Sequence, residues 1–334
     1  MKLLVLLLGI VLVAPSPVAA ENIELRIATL APGGSPWMEI LERAAAEISE
    51  KTQGRVKTKY FTGGQQGDER DYIRKIGLGQ IDGAAITALG LSMIEPSILV
   101  LQLPMLFETQ EEVDYVAGKM WPYFQKKFEA KGFRLAERGE LGWIHLLSKK
   151  KVTSLADLRH LKVCSVGGDR LNTTIVDKLG IDPIPLSIPE VDPALTSGKI
   201  DACLNSPLGA IALQWHTKVR FMSARPLVFA IGATVMSLEA VKKISPEDRK
   251  AIELIAKGSQ KKARTVIRKA NEDARKTLVR KGVEIVDVSD KMVEELMAIG
   301  TKVQAELTDK LFSKEELAMV LKHRDEFRAS HRKK

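Results

Sequence analysis

Ser148-Lys149-Lys150-Lys151 sets a hydroxyl three residues before an ammonium, the spacing of a serine nucleophile activated by a lysine. It stands in a lysine run closing an extended stretch, and no S-D-N or K-T-G element accompanies it. His323-Arg324-Asp325 has the order of a kinase catalytic loop but falls in an amphipathic C-terminal segment, with no glycine-rich phosphate loop upstream. Gly77-Leu78-Gly79 lacks the third glycine of a dinucleotide fingerprint and ends a helix where that motif should open one. His145, His160, His216, His323 and His331 show no metal-ligand spacing, and no C-x-x-C or H-E-x-x-H occurs. Asn172-Thr173-Thr174 is a glycosylation acceptor by pattern alone. Cys164 and Cys203 can cross-link only if their Cα atoms lie within about 7 Å with suitable Cβ vectors; spacing leaves that open. The expectation is a protein that binds rather than transforms its ligand, without metal or cofactor.

Composition narrows the ligand and the compartment. Met1-Lys2, an apolar run over 3–13 and a Val18-Ala19-Ala20 ending read as a cleavable export signal over 1–20. The run is about half of the ~20 residues that a membrane-spanning helix requires. A periplasmic protein is expected, without a lipid anchor because no cysteine stands at the cleavage point. At 5% aromatic residues, a platform for stacking sugars or single-stranded nucleic acid is poorly supplied. The formal charge of +9 concentrates over 257–281, where ten basic residues face only Glu272 and Asp273. Such a segment reads first as the solvated face of a helix, and second as a docking face for an acidic partner or an anionic membrane. No nucleic-acid partner and a monomeric state are expected.

The elements that must position a binding site show as a repeat. Gly79-Gln80-Ile81-Asp82-Gly83-Ala84 and Gly198-Lys199-Ile200-Asp201-Ala202 each place a glycine and a polar residue before Ile-Asp entering a strand. Upstream of the first copy lie strands at 24–29 and 56–61 and helices at 35–51 and 68–78; Pro36 and Gly54 supply start and stop signals. Upstream of the second lie strands at 161–166 and 183–188 and helices at about 169–179 and 190–196. Each half reads β-α-β-α-β, the unit of a parallel sheet with right-handed crossovers. The expected fold class is therefore α/β, a two-lobed binding-protein fold with two parallel-sheet lobes. Extended stretches at 142–148 and 227–236 would cross between the lobes. A helix from 246 to about 280 would run roughly 50 Å and brace both. A strand near 283–288 and helices at 292–308 and 314–329 finish the chain. The expected division assigns 21–142 and about 228–262 to one lobe, and 143–227 and about 263–334 to the other.

Ligands of open parallel sheets bind beyond the carboxyl ends of the strands. That rule selects 31–37, 87–89, 164–168, Ile188 and 205–208. Trp37 and Trp215 are candidate cleft walls, with packing in the core as the competing role.

The chain also resembles the solute-binding proteins of tripartite ATP-independent periplasmic (TRAP) transporters. The resemblance rests on Glu50-Lys51-Thr52-Gln53-Gly54-Arg55-Val56, Gly63-Gly64-Gln65-Gln66-Gly67-Asp68-Glu69 and Leu103-Pro104-Met105-Leu106-Phe107. Asp157-Leu158-Arg159-His160-Leu161-Lys162-Val163, Pro183-Ile184-Pro185-Leu186, Glu190-Val191 and Asn205 extend it. It implies a two-lobed receptor that closes on a small solute, usually an organic acid, and delivers it to an ion-driven permease. It also implies an arginine after Leu-Lys-x gripping the solute carboxylate; this chain has Cys164 there. A second implied arginine falls on Ile144 after Gly142-Trp143, an implied aromatic on Ile188, and an implied polar or acidic group on Thr87. Only Asn205 keeps its type.

A buried carboxylate without its arginine bears several kcal/mol of desolvation unpaired. A cleft of Trp143, Ile144, Cys164 and Ile188 therefore leads to the expectation of a neutral or largely apolar solute. The alternatives are an organic-acid receptor using Arg170 as a substitute cation, a sensor or scavenger without a permease, and an exported α/β enzyme.

Overall fold

The first half of the repeat is built as its spacing requires. Ile23–Thr29 (β1), Pro36–Lys51 (α1), Val56–Phe61 (β2), Glu69–Gly77 (α2) and Gly83–Thr87 (β3) follow in order, with β1 between β2 and β3 and all three parallel. The computed structural model describes residues 22–166 and 170–331, so the expected leader at 1–20 and Gly167 and Gly168 of the expected cleft lie outside the described residues. Ser35 caps α1, its side chain accepting from the Met38 amide, and Asp68 and Asp71 close a capping box at α2.

Downstream come Ala88–Ile94 (α3), a 3-10 turn at Pro96–Gln102, Gln110–Ala130 (α4) and Phe133–Ser148 (β4). The second half continues with Leu155–Arg159 (α5), Cys164–Val166 (β5), Arg170–Leu179 (α6), Ile184–Leu186 (β6), Ile188–Ser197 (α7) and Ala202–Asn205 (β7). Pro207–Ala212 (α8), a 3-10 turn at Trp215–Thr217, Phe221–Ser223 (β8), Val228–Ser237 (β9) and Leu238–Lys243 (α9) lead to Pro246–Arg280 (α10). Glu284–Val286 (β10), Asp290–Leu307 (α11) and Lys314–His331 (α12) complete it. Among the described residues no helix is long and apolar enough to cross a membrane.

The two Ile-Asp copies do the same physical work. Ile81 and Ile200 are buried. Asp82 donates its amide to the Arg26 carbonyl and accepts the Arg26 amide on its carboxylate at 2.9 Å. Asp201 donates to the Lys162 carbonyl and accepts the Lys162 amide at 3.3 Å. Each aspartate thus sets the register of the strand it enters against the first strand of its half.

Both halves then take an antiparallel neighbour from a distant stretch of chain. β9 pairs with β3, Gly83 facing Met236 and Thr87 facing Gly232. β4 pairs with β7, His145 facing Asn205 and Ser148 facing Ala202, while a parallel bridge from Val163 to Ala202 links β5 to β7. β4 and β9 also pair with each other, so they cross from one half to the other. β8 lies antiparallel to β4 and parallel to β10, so β5, β6, β7, β8 and β10 all run the same way. The 35 residues of α10 are unbroken through Gly258 and pack on α1 in one half and α8 in the other.

Two local expectations are corrected. Ile188 ends no strand: Ser187 and Glu190 form a capping box that makes it the first residue of α7, and β6 stops at Leu186. Thr87, the polar group expected at the end of β3, is also the N-cap of α3, its hydroxyl accepting from the Leu89 amide. β4 begins at Phe133, well before the expected 142, because Arg138 and Glu140 inside it are paired with groups on other elements.

Candidate functional site

A cavity of about 250 Å³ opens where the carboxyl ends of the two sets of parallel strands meet. β3 delivers Thr87, β5 delivers Cys164 and Val166, β7 delivers Asn205, and the crossing strand β4 delivers Ile144. Ile188, heading α7, adds an apolar wall. Trp215 lines the same cavity but is 2% exposed and packed with Leu147, Leu186 and Met222. Six of the nine residues selected from sequence are therefore brought together.

The other three stand elsewhere. Trp143 is on the face of β4 opposite Ile144, as alternation along a strand requires, and packs edge-to-face on Phe229 at 5.0 Å. Trp37 donates its indole N–H to the Glu140 carbonyl at 3.2 Å and packs beside Leu208 and Ile267. Arg170 is the first residue of α6 and is exposed, outside the cavity.

The walls are almost wholly apolar. Arg225 is the only charged residue among the described residues lining the cavity. It follows β8, whose carboxyl end faces the same way as those of β5 and β7. The strand-end rule selects this arginine once β8 is known, but three residues, Phe-Met-Ser, carry no alternating signature in sequence. Gln102, at the end of the 3-10 turn after α3, was likewise missed; it lines the cavity, and its side-chain nitrogen is buried with no hydrogen-bond partner.

The polar groups nearby are mostly committed. Glu69 is buried and accepts from the Thr87 amide at 2.7 Å, the Thr87 hydroxyl at 2.8 Å and the Gly90 amide at 2.7 Å. Burial pushes its carboxyl above the usual range, against the pull of these three bonds. Asn205 accepts on its side-chain oxygen from the Ser206 amide at 2.8 Å. Cys164 and Cys203 are free thiols, both buried; burial raises Cys164 to about 11 and lifts Cys203 as well. Neither is poised as a nucleophile, since the thiolate is the reactive form. Among the described residues no cluster of three or more His, Cys, Asp or Glu could hold a metal ion.

A second space, about 320 Å³, shares Leu89, Val166 and Ile188 with the first and is lined also by Arg70, Ser187 and Glu190. It forms the mouth between the halves. Gly64 of the first half approaches Pro189 of α7, to within 3.8 Å of where a side chain on Gly64 would begin.

Comparison with known proteins matches residues 27–311 to DctP, the bacterial extracellular solute-binding proteins of family 7. A solute-binding protein of Chromohalobacter salexigens is 24% identical over 287 residues, 85% of each chain. The sugar acid binding protein of Advenella mimigardefordensis, solved with galactonate, superposes with a TM-score of 0.86 at 20% identity, covering 92% of this chain and 99% of that one. A TRAP periplasmic solute-binding protein of Polaromonas, bound to D-erythronate, gives 0.83 at 22% identity over 90% and 98%.

Proposed function

The chain belongs to the family 7 bacterial extracellular solute-binding proteins, the receptors of TRAP transporters, and from that premise we propose that it captures a small organic acid in the periplasm. The acid is held between the two halves and handed to the membrane subunits of an ion-driven permease. The function is binding and delivery, without a chemical step.

The observation that carries this reading is the position of Arg225. It is the one charged side chain lining a cavity that otherwise offers hydrocarbon and a few amides and hydroxyls. A carboxylate entering such walls unpaired is strongly disfavoured, and a guanidinium that pairs with it through two N–H donors removes most of that penalty. Arg225 is exposed and makes no ion pair within 4.0 Å among the described residues. It therefore remains available until the halves close over the solute. The acid reading replaces the neutral solute expected from the loss of arginines at Cys164 and Ile144, and it also replaces Arg170 as the substitute cation. The two solved relatives hold galactonate and D-erythronate, both carboxylates, which supports the same choice.

Closure would bend the crossing at β4 and β9 and exclude water from the cavity. Export through a leader at 1–20, with a monomeric mature receptor, belongs to the same proposal. The test is native mass spectrometry of gently purified protein to identify the retained solute, followed by calorimetric titration with that solute. Arg225→Gln is expected to weaken it by about tenfold or more, the loss of a charge-assisted hydrogen bond, while Arg170→Gln leaves affinity unchanged. A retained solute with no carboxylate, or an acid indifferent to Arg225→Gln, would falsify this reading.

A further inference from the structure

The cavity extends further than a cleft between strand ends requires. Beyond Thr87 and Asn205 the same space is walled by Leu171 and Ile175 of α6, by Met292, Leu296 and Ile299 of α11, and by Gln102. This inner part lies on the Ile144 and Leu146 face of β4, with both of those side chains lining it. The segment carrying Gln102 is fastened there: the Met105 amide donates to the Leu227 carbonyl at 3.1 Å, and the Leu227 amide donates to the Ile144 carbonyl at 2.9 Å. Leu227 is two residues past Arg225, so the fastening brings the Gln102 end of the chamber into the neighbourhood of the cation.

Two properties of this chamber call for a ligand. Its walls are hydrocarbon, and water in such a space finds few of the two to four polar partners it needs. A dry apolar cavity of about 150 Å³ is enough to take up benzene, and the whole cavity here is about 250 Å³. The second property is the Gln102 side-chain amide, whose nitrogen is buried and has no acceptor. Buried polar donors are nearly always satisfied, and an isolated one signals an absent partner.

We propose that this inner chamber receives the apolar body of the solute, and that Gln102 donates to an acceptor oxygen carried on that body. The substrate class is then a carboxylic acid with an aliphatic or aromatic skeleton of about one ring's size and a single remote oxygen, rather than a polyhydroxylated sugar acid. A sugar acid would set several hydroxyl groups against Leu171, Ile175, Leu296 and Ile299, which offer them no partners. This rests on the organic-acid reading above and assigns the part of the solute that its carboxylate does not engage at Arg225.

Four probes separate the two ideas: 4-hydroxyphenylacetate, phenylacetate, D-galactonate and the neutral 4-hydroxyphenylacetamide, each titrated into the full chain by calorimetry. Binding of 4-hydroxyphenylacetate is expected to exceed that of phenylacetate by about tenfold, the effect of one satisfied buried donor. Gln102→Leu should erase that difference. Leu296→Phe, which fills the chamber, should weaken both aromatic acids by about tenfold or more by steric exclusion, its fold being checked by thermal melting. If Leu296→Phe fails to fold, the Gln102→Leu comparison stands alone as the deciding one. D-Galactonate binding more tightly than either aromatic acid, or aromatic acids indifferent to both substitutions, overturns the chamber assignment and leaves the acid receptor standing. The amide binding as tightly as the acid overturns the role of Arg225 instead.

Discussion

His145 lies between the cavity-lining Ile144 and Leu146, on the other face of β4, and ties the stability of the fold to pH. Its ring nitrogen Nδ1 meets the Ser223 carbonyl at 2.8 Å, and burial, helped by the nearby positive charge of Arg275, holds its pKa down at about 4 against an ordinary 6.5. The unfolded chain therefore binds a proton that the folded chain refuses as pH falls from 6.5 toward 4. Stability is full above about 6.5 and is lost through that window, by up to roughly 3 kcal/mol. Denaturant titrations at pH 7 and pH 4.5 should show the loss, and His145→Gln should flatten it; an unchanged slope in the variant would place the proton uptake elsewhere. At this scale the sequence was informative where a strand end was visible. Thr87, Ile144, Cys164, Ile188 and Asn205 reach the cavity because the repeat betrayed β3, β5 and β7 and the resemblance marked the positions. Arg225 and Gln102 escaped because they follow a three-residue strand and a 3-10 turn, neither with a period long enough to read.

Among the elements, β4 carries the crossing with β9, and Gly142 stands at a break in its register. The register of β4 against β9 slips between Glu140 and Gly142, and Gly142 has φ +103°, a left-handed conformation that side chains resist. A Cβ there would also lie 2.8 Å from the Asn271 side-chain nitrogen of α10. Asn271 donates to the Leu141 carbonyl at 2.9 Å and accepts from the Leu208 amide at 3.1 Å, joining β4 and α8 through α10. Gly142→Ala should therefore cost about 1–3 kcal/mol of stability and shift the equilibrium between open and closed halves. Chemical denaturation and small-angle scattering with and without solute would check both; a variant as stable as the parent would mean that the bulge relaxes freely. The early half of β4 and the whole of α4 were illegible for physical reasons. Arg138 and Glu140 are buried charges whose partners, Asp114 and Arg268, come from other elements. Pro122 inside α4 imitates a helix end.

For the molecule as a whole, the C-terminal helix is held by charge as well as by packing. Lys127 of α4 lies between two buried carboxylates, 3.0 Å from Glu95 and 2.7 Å from Glu316 of α12, and the Ser97 hydroxyl stands 2.7 Å from an oxygen of each. Hydrogen bonds from Ser97, Lys131 and Lys127, against the cost of burial, hold Glu95 down at about 2. Lys127→Met leaves two buried acids with one fewer cation, and roughly 2 kcal/mol or more of stability should be lost at neutral pH. Because protonation of the acids relieves the mismatch, the deficit should shrink as pH falls; melting temperatures across pH 4–7 would show whether it does. α10 acts on the same scale: Arg264 and Arg268 of its basic run are spent on Asp114 and Glu140, while Lys257 and Lys261 remain exposed.

The pairing of β3 with β9 has a consequence in time. Residues 83–87 wait for residues 232–237 before their sheet acquires its fourth strand. At the pace of a ribosome, about 5–20 residues per second, that interval is on the order of ten seconds or longer. Throughout it the amino-terminal half is a nascent chain whose β3 edge has no partner. On the proposed export, a chain threaded through a membrane pore before it folds would gain from this delay, because the topology itself postpones the moment at which it becomes too compact to pass.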